Sequence, residues 1–331
     1  MKIQRVEVNG VLLLNKSFGS SSNQILQIIK RAYNAKKAGH TGTLDPMATG
    51  LLPICFGEAT KFAQCLLDSD KEYIATIKLG ETTTTYDAMG DITACSAVTC
   101  SQADIQNSLR SYQGLIWQIP PIYSALKVAG KPLYEYARSG EEVSIKSRQI
   151  TIFELEILKF VATNIFKLRV RCSKGTYIRT LAHDIGQTLG CGAHLIELVR
   201  TKTAGFALNE QLTLDHIMNL NHDQKLALLL PPDVLVQDLP RLDIDDAQYA
   251  YIQHGHAFKL SNTESDQILH EHSLKLCHPD SSLESTNVMA TNAPMLRLYF
   301  NDIFLGIARV EYAGDVVSIT PVRLLTTAIK S

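Results

Sequence analysis

The sequence predicts an α+β protein: a mixed, largely antiparallel sheet flanked by helices, followed by a small β-rich C-terminal domain. Apolar or alternating runs typical of strands lie at residues 10–15, 72–79 and 164–172. A helical pattern with one broad apolar face begins at residues 21–23, where two serines and an asparagine offer N-cap side chains. A helix is predicted at residues 59–67, and Ser101 with Asp104 three residues later predicts a capped helix that runs to Arg110. Residues 261–293 are polar and irregular, which predicts a loop-rich segment. Strand-like runs lie close together between residues 295 and 325, with turns predicted at residues 301–302 and 314–315.

The length of 331 residues and the 45% hydrophobic content suit two domains with a sizeable core. Pro231-Pro232 and Leu239-Pro240 mark a boundary, so we assign residues 1–237 to a first domain and residues 238–331 to a second. The first contains 25 Lys and Arg against 21 Asp and Glu, and the second contains 7 against 12. This balance permits a phosphate-binding surface in the first domain without establishing one.

Several classes of protein and site are not indicated. No apolar run reaches the roughly 18 residues of a membrane span, and residues 1–6 lack the apolar core of a signal peptide, so we expect a cytoplasmic protein. Seven scattered cysteines are expected to be reduced thiols. We predict neither a metal site nor a cofactor, because no zinc-ligand spacing occurs among the C-terminal histidines, His254, His256, His270, His272 and His278.

The stretch at residues 38–53 contains three glycines and two prolines in sixteen residues, which excludes a long helix or a central strand. Asp45 is its only acid and His40 its only possible base. Pro46 biases Asp45 toward extended geometry and so helps to fix the direction of its side chain. The small neighbours leave room for a ligand to approach this carboxylate. Taken alone, the pattern is also typical of a structural Asx-type turn.

Residues 39–50, together with residues 57–61, resemble the signature of the TruB-type tRNA pseudouridine-55 synthases. Residues 10–16 resemble the opening strand of that family, and the resemblance extends over about two-thirds of the chain. It implies a pseudouridine-synthase-like sheet with a PUA-like C-terminal domain. It also implies that Asp45 is the catalytic nucleophile and that His40 fills or stacks in the gap left by a flipped-out uridine.

Residues 71–90 resemble the second motif of the family. The resemblance implies that Tyr73 stacks on the target base and is the candidate acceptor of the proton on C5. From the strand pattern alone, Tyr73 would be a core residue. Met89 stands where the family commonly has an acid, so a role for a second carboxylate at that position is in doubt.

Residues 172–181 and 192–201 resemble the third and last motifs. The resemblance implies that Arg179 pairs with the nucleophilic aspartate, where its guanidinium would keep a poorly solvated carboxylate ionised. It also implies that Tyr177 and Leu198 help to wall the uracil pocket. Without the resemblance, Arg179 would be a surface charge on a helix and the other two would be ordinary core residues.

The segment at residues 118–148 interleaves basic residues and tyrosines with Pro and Gly turns. That texture suits looped RNA, which offers phosphates to Lys and Arg and unstacked bases to aromatic rings. The segment also resembles the RNA-gripping insertion of the family, so we expect Lys127, Lys131 and Arg138 to contact RNA. The alternative is an ordinary excursion between strands.

The sequence therefore predicts a cofactor-free isomerase that converts uridine 55, in the T loop of tRNA, into pseudouridine. Breaking the N1–C1′ bond and joining C5 to C1′ needs one carboxylate, one aromatic side chain and exclusion of water. The uridine must first be flipped out. Asp45 could attack C1′, attack C6 or remove a sugar proton. We expect a monomer whose partner is the T stem-loop, with no membrane and no obligatory protein partner.

Two other functions compete with this prediction. A tRNA-binding or tRNA-folding protein without chemistry would keep the basic residues but would not need Asp45. A hydrolase of nucleosides or glycosides would demand a second acid or a metal, and the stretch around Asp45 supplies only one carboxylate.

Overall fold

The computed structural model describes residues 5–260, 294–313 and 316–326, which form two compact units. Unit 1 contains residues 5–56 and Ala63–Leu229, and unit 2 contains Gly57–Phe62 with the described residues from Leu230 onward. Strands and helices alternate irregularly in unit 1, and strands predominate in unit 2. The α+β class predicted from the sequence is confirmed.

Unit 1 contains thirteen strands and seven α-helices among its described residues. The strands are β1 (Gly10–Lys16), β2 (Ala38–His40), β3 (Thr49–Phe56), β4 (Lys71–Leu79), β5 (Glu81–Thr83), β6 (Ile92–Cys95), β7 (Gly114–Gln118), β8 (Lys127–Val128), β9 (Lys131–Pro132), β10 (Arg148–Ala162), β11 (Ile165–Cys172), β12 (Ala193–Thr203) and β13 (Phe206–Ala207). The helices are α1 (Ser22–Ala32), α2 (Ala63–Asp68), α3 (Gln102–Leu109), α4 (Leu133–Ser139), α5 (Ile178–Thr188), α6 (Leu214–Asn219) and α7 (His222–Ala227).

The main sheet of unit 1 runs in the order β1-β3-β12-β4-β11-β10-β7, with β2 paired to β3 and β13 paired to β12. Its described pairings are antiparallel apart from β3 with β12, which is parallel. The sheet is therefore mixed and largely antiparallel, as predicted. The expectation that residues 38–53 contribute no central strand was wrong, because β3 lies between β1 and β12 and includes residues 49–53. Pro53 is accommodated because β12 pairs with β3 only at Thr49 and Gly50, so no partner on that side requires the missing amide. The central strands β4 and β11 bury one alternating face each, because residues two apart along a strand point to the same side.

Helix α1 begins where the sequence offers an N-cap. Ser21 is the cap: its hydroxyl accepts from the Gln24 backbone, and the Gln24 side chain accepts from the Ser21 backbone. The predicted apolar face is buried through Ile25, Leu26 and Ile29. Helix α3 has the same reciprocal cap, as its sequence indicated.

The helix expected at residues 59–67 is interrupted. Gly57–Phe62 forms a 3₁₀ helix, and α2 follows directly. The 3₁₀ segment belongs to unit 2, where Lys61 Nζ donates to the Leu324 carbonyl at 2.8 Å and the Phe62 ring packs on Phe304. These partners are distant in sequence, so the apolar spacing of the segment alone does not reveal the break.

The described elements of unit 2 are β14 (Arg241–Asp243), α8 (Asp246–Gln253), β15 (Phe258–Lys259), β16 (Met295–Phe300), β17 (Ile303–Ala313) and β18 (Val316–Leu324). The five strands form one sheet in the order β14-β16-β17-β18-β15. Residues 301–302 form the predicted turn, with φ near +49° and +61°. The loop-rich segment expected at 261–293, with three of the C-terminal histidines, and the turn expected at 314–315 lie outside the described residues.

The parallel contact between β3 and β12 leaves no room for a side chain at Gly50. Gly50 has a φ of +98°, and an added Cβ would lie 2.8 Å from the Arg200 amide nitrogen. A Cβ added at Gly39, in β2, would lie in open space. We expect Gly50→Ala to lower the melting temperature clearly and Gly39→Ala to leave it near wild type, measured by circular dichroism. Equal melting temperatures for the two variants would contradict this account of the contact.

Candidate active site

A cavity of about 490 Å³ in unit 1 gathers the predicted site residues from four separate parts of the chain. Asp45 enters from the loop between β2 and β3, and Tyr73 from β4. Tyr177 and Arg179 enter at the start of α5, and Leu198 enters from β12. Five of the residues singled out in the sequence therefore face one space.

Asp45 and Arg179 form an ion pair at this cavity. Arg179 Nε donates to Asp45 Oδ2 at 2.8 Å. The other guanidinium nitrogens donate to backbone carbonyls, Nη1 to Thr85 at 2.9 Å and Nη2 to Tyr123 at 3.0 Å. The Arg179 side chain is only 5% exposed, so it is not the surface charge that its helix position alone would indicate. Because all three guanidinium nitrogens of Arg179 have a partner, the planar group is held in one orientation.

Two opposing effects act on the ionisation of Asp45. Burial raises the pKa of its carboxyl above the ordinary range, and the adjacent Arg179 guanidinium opposes that rise. Asp87 adds a smaller upward effect as a nearby like charge. The net pKa of Asp45 remains raised, so the ionised form costs free energy in the folded state.

Asp87 is a second carboxylate at this site that sequence reasoning did not select. Its Oδ2 lies 3.5 Å from Arg179 Nη1, and its side chain is 6% exposed. Its Oδ1 accepts from the Thr85 hydroxyl and from the Met89 amide. Asp87 does not line the cavity. It therefore orients Arg179 from behind rather than facing a substrate. The sequence did offer this acid, because Asp87 lies two residues before Met89 within the second family motif at residues 71–90.

Arg200 is the other residue that was missed. It lies opposite Tyr73 in the pairing of β12 with β4 and is 1% exposed. Burial raises the pKa of Tyr73, and the Arg200 charge opposes that rise. Residues two apart along a strand share a face, so Arg200 lies on the same buried face of β12 as Leu198. This spacing could have indicated from the sequence that Arg200 reaches the pocket.

Side chains from three directions hold the loop that carries Asp45. Arg200 donates from Nη2 to the Gly42 carbonyl at 3.0 Å. Lys16 donates to the Ala48 carbonyl at 2.6 Å, and burial lowers the Lys16 pKa to about 8. The Ser22 hydroxyl accepts from the Leu44 amide at 2.8 Å. The loop is thus fixed on both sides of Asp45 by groups that do not touch its carboxylate.

Four residues singled out in the sequence do not line the cavity. His40 lies in β2, and burial lowers its pKa, which favours the neutral imidazole. Lys131 pairs with Glu141 at 2.7 Å. Arg138 stands over the Tyr134 ring, and Lys127 is exposed in β8.

The insertion nevertheless reaches the cavity, because Tyr123, Ser124, Ala125 and Tyr134 are part of its lining. Within the described ranges, no group of three or more His, Cys, Asp or Glu side chains is arranged to hold a metal ion. Over the same residues, no helix is long and apolar enough to cross a bilayer.

Solved structures share this fold. A chain from a Cbf5-Nop10-Gar1 complex aligns with a TM-score of 0.66 and 24% identity, over 97% of this chain and 85% of that chain. A chain from an H/ACA ribonucleoprotein bound to a substrate RNA containing 2′-deoxyuridine aligns with a TM-score of 0.65 and 22% identity, over 95% and 84%. At these identities the likeness establishes the fold alone.

Family models define the class of protein. Residues 30–178 match the TruB family pseudouridylate synthase N-terminal domain, and residues 179–237 match the tRNA pseudouridylate synthase B C-terminal domain. The chain is therefore a pseudouridine synthase, which is an isomerase. Within that class it belongs to the TruB family.

Relatives named tRNA pseudouridine synthase B support this assignment over nearly the whole chain. The protein of Neisseria meningitidis serogroup B is 43% identical over 327 residues, which cover 99% of this chain and 97% of that protein. The protein of Francisella philomiragia is 54% identical over 242 residues, or 72% of this chain and 80% of that protein.

The raised pKa of Asp45 predicts how stability depends on pH. Because the unfolded chain ionises this group at a lower pH than the folded protein, ionisation favours unfolding above the raised pKa. Asp45→Asn resembles the neutral acid and should melt at a higher temperature than wild type near neutral pH. The difference should shrink as pH falls through the raised pKa and vanish below the ordinary Asp range. A pH-independent difference in calorimetric melting temperature would contradict this explanation.

Proposed function

We propose that this protein converts the uridine at position 55, in the T loop of tRNA, into pseudouridine, with Asp45 as the nucleophile. The observation that carries the proposal is the Asp45–Arg179 pair at the cavity that Tyr73 also lines. A carboxylate with a raised pKa is reactive only if a partner keeps it ionised, and Arg179 is that partner. The relatives' name supports tRNA as the substrate.

The proposed chemistry needs a fixed carboxylate and an exchange of bonds at the uracil. Arg179 holds Asp45 Oδ2, which leaves Oδ1 for the substrate. The N1–C1′ bond breaks, the uracil turns, and C5 bonds to C1′. The C5 proton then passes to the Tyr73 oxygen as the Tyr73 hydroxyl gives up its own proton to solvent, and N1 takes up a proton from solvent, so no proton is gained or lost overall. Attack at C1′, attack at C6 and removal of a sugar proton all require the ionised form of Asp45, so the pair with Arg179 serves each route.

Tyr73 and Arg200 suit the proton-transfer step. Burial holds Tyr73 as a neutral phenol at rest. A phenol oxygen accepts a proton only if phenolate character develops, and the positive charge of the neighbouring Arg200 stabilises that phenolate. Tyr177 and Leu198 line the same cavity and supply apolar walls for the uracil.

Substrate binding in this proposal uses residues outside the cavity. His40 fills the space vacated by the flipped uridine, as a neutral ring that can stack. Lys127, Lys131 and Arg138 grip phosphates of the T stem-loop. For Lys131 this contact replaces its present ion pair with Glu141, which lies on the surface and is therefore weak.

We further propose that the protein acts as a monomer in the cytoplasm, where its substrate is found, and requires no cofactor and no protein partner. A tRNA-binding protein without chemistry remains the competing function. The two differ in one respect: only the enzyme needs the carboxylate of Asp45.

Asp45→Asn separates chemistry from binding. The amide nearly matches the carboxyl in shape but cannot act as a nucleophile, so pseudouridine formation in a T stem-loop should be abolished while the RNA dissociation constant stays within about threefold. Asp91→Asn changes an exposed acid outside the cavity and is the matched control. Chemical mapping of pseudouridine and filter binding are the measurements. Turnover by Asp45→Asn would remove Asp45 as the nucleophile.

Arg179 variants test whether a charge alone suffices beside Asp45. Arg179→Lys retains the charge but loses the fork, and should slow single turnover at saturating RNA on the order of 10²-fold. Arg179→Ala should be slower still at neutral pH and should gain activity as pH rises, because removing the cation raises the pKa of Asp45 further. Rates are compared with wild type across pH, with thermal melts as a folding control. A Lys variant with wild-type rates would show that the fork geometry is irrelevant.

A further inference from the structure

One residue at the active-site cavity has a polar atom without a partner. Ser124 lines the cavity and is buried, with 6% of its surface exposed. Among the described residues, its hydroxyl has no hydrogen-bond partner. Buried hydroxyls normally find partners, so an unpartnered one beside a substrate cavity points to a group that the substrate supplies.

Two other serines line the cavity, and their hydroxyls are engaged. The Ser21 hydroxyl accepts from the Gln24 amide and caps α1. The Ser173 hydroxyl accepts from the Thr151 amide at 2.9 Å. These bonds give both hydroxyls a structural role. Ser124 differs from them, because its hydroxyl is bonded to nothing in the part of the chain that the structure describes.

The backbone around Ser124 is fixed on both sides, although the hydroxyl is not. The carbonyl of the preceding residue, Tyr123, accepts from Arg179 Nη2 at 3.0 Å. The Ser124 carbonyl accepts from the Tyr134 amide at 3.0 Å, in the first turn of α4. Ser124 therefore lies where the insertion at residues 118–148 meets the arginine that orients Asp45.

Rotation about one bond changes the direction of the Ser124 hydroxyl. A serine side chain has three staggered positions about its Cα–Cβ bond. In its present position the oxygen is covered and unbonded, so rotation toward the cavity breaks no hydrogen bond. A substrate group that offers a hydrogen bond therefore selects the inward position at little cost in free energy.

The place of Ser124 indicates which group of the nucleotide its hydroxyl meets. The Arg179 guanidinium contacts both Asp45, at 2.8 Å, and the carbonyl just before Ser124, at 3.0 Å. Asp45 acts at or next to the glycosidic bond on each of its three possible routes, and C2′ is bonded to C1′. The 2′-hydroxyl is therefore the hydroxyl of the sugar nearest to the reacting bond. Like the serine hydroxyl, it can both donate and accept.

Other polar groups of the nucleotide suit Ser124 less well. The uracil turns during the reaction, so a contact with its carbonyls would have to break, whereas the sugar remains attached to the RNA throughout. The phosphates lie farther from C1′, and the cations of the insertion serve them in the proposed function.

We propose that the Ser124 hydroxyl forms a hydrogen bond with the ribose 2′-hydroxyl of the target uridine and thereby selects a ribonucleotide at that position. This inference rests on the proposed function. The bond holds C1′ against Asp45 while the uracil leaves, turns and reattaches. Because the 2′-hydroxyl distinguishes RNA from DNA at a site, Ser124 makes the cavity specific for ribose. Its place on the insertion joins gripping of the RNA to placement of the sugar.

A double-mutant cycle between protein and RNA tests this contact. Wild type and Ser124→Ala each receive a T stem-loop whose target uridine carries either a hydroxyl or a hydrogen at C2′, and single-turnover rates are measured at saturating RNA. The ratio of the ribose rate to the deoxyribose rate should be on the order of tenfold larger in wild type than in Ser124→Ala, because either change alone removes the same hydrogen bond. The effect of the 2′-hydroxyl on the glycosidic bond itself cancels in this comparison.

Ser173→Ala is the matched control, because it removes a hydroxyl from the same cavity whose partner is a backbone amide. Its rate ratio should equal that of wild type, whatever its absolute rates. Thermal melts report folding, and Ser124→Cys replaces Ser124→Ala if the latter melts early, since a thiol has a similar shape but is a weak donor. Equal ratios in wild type and the Ser124 variant overturn the proposal, and so does an equal fall of the ratio in Ser173→Ala.

Failure of this inference differs from failure of the proposed function. Pseudouridine formation by wild type on the all-ribose RNA is measured in the same experiment. Product with no coupling between Ser124 and the 2′-hydroxyl removes the ribose contact and leaves the enzyme function intact. Absence of product from the all-ribose RNA overturns the proposed function.

Discussion

The ion pair between Asp45 and Arg179 is the interaction on which the site depends. A carboxylate at a partly dry cavity is protonated unless a cation opposes the cost of desolvation. Arg179 provides that cation from a side chain that is itself almost fully buried, which would be costly without partners. Asp87 and two backbone carbonyls supply them. The ionised carboxylate of Asp45 is thus supported by several contacts that do not touch it.

Backbone carbonyls are the common partners of the buried cations around this site. Lys16, Arg179 and Arg200 all donate to carbonyls of loops or strand ends, and so does Lys71 near the C-terminus of α2. A carbonyl satisfies a buried donor without adding a competing negative charge. The loop around Asp45 can therefore be held firmly while its single acid remains available for chemistry.

Elements that depend on neighbouring residues form where the sequence predicts them, and one element that depends on distant residues does not. The Ser21 cap and the alternating strands β4 and β11 were predicted, because neighbours in sequence determine capping and alternation. The helix expected at residues 59–67 was interrupted because Lys61 has partners more than 250 residues away. The pairing of Asp45 with Arg179 was expected from a resemblance to a family, and neither spacing nor periodicity could have produced it.

By itself the sequence determined the α+β class, the strand that carries Tyr73, and a loop with one acid whose direction Pro46 constrains. Only the tertiary structure decided that Asp87 stands behind Arg179, that Arg200 joins Tyr73 to the Asp45 loop, and that the insertion brings Ser124 to the cavity. The physical reason is distance along the chain. Capping, turns and alternation act over a few residues, whereas desolvation and charge pairing depend on which remote segments the sheet brings together.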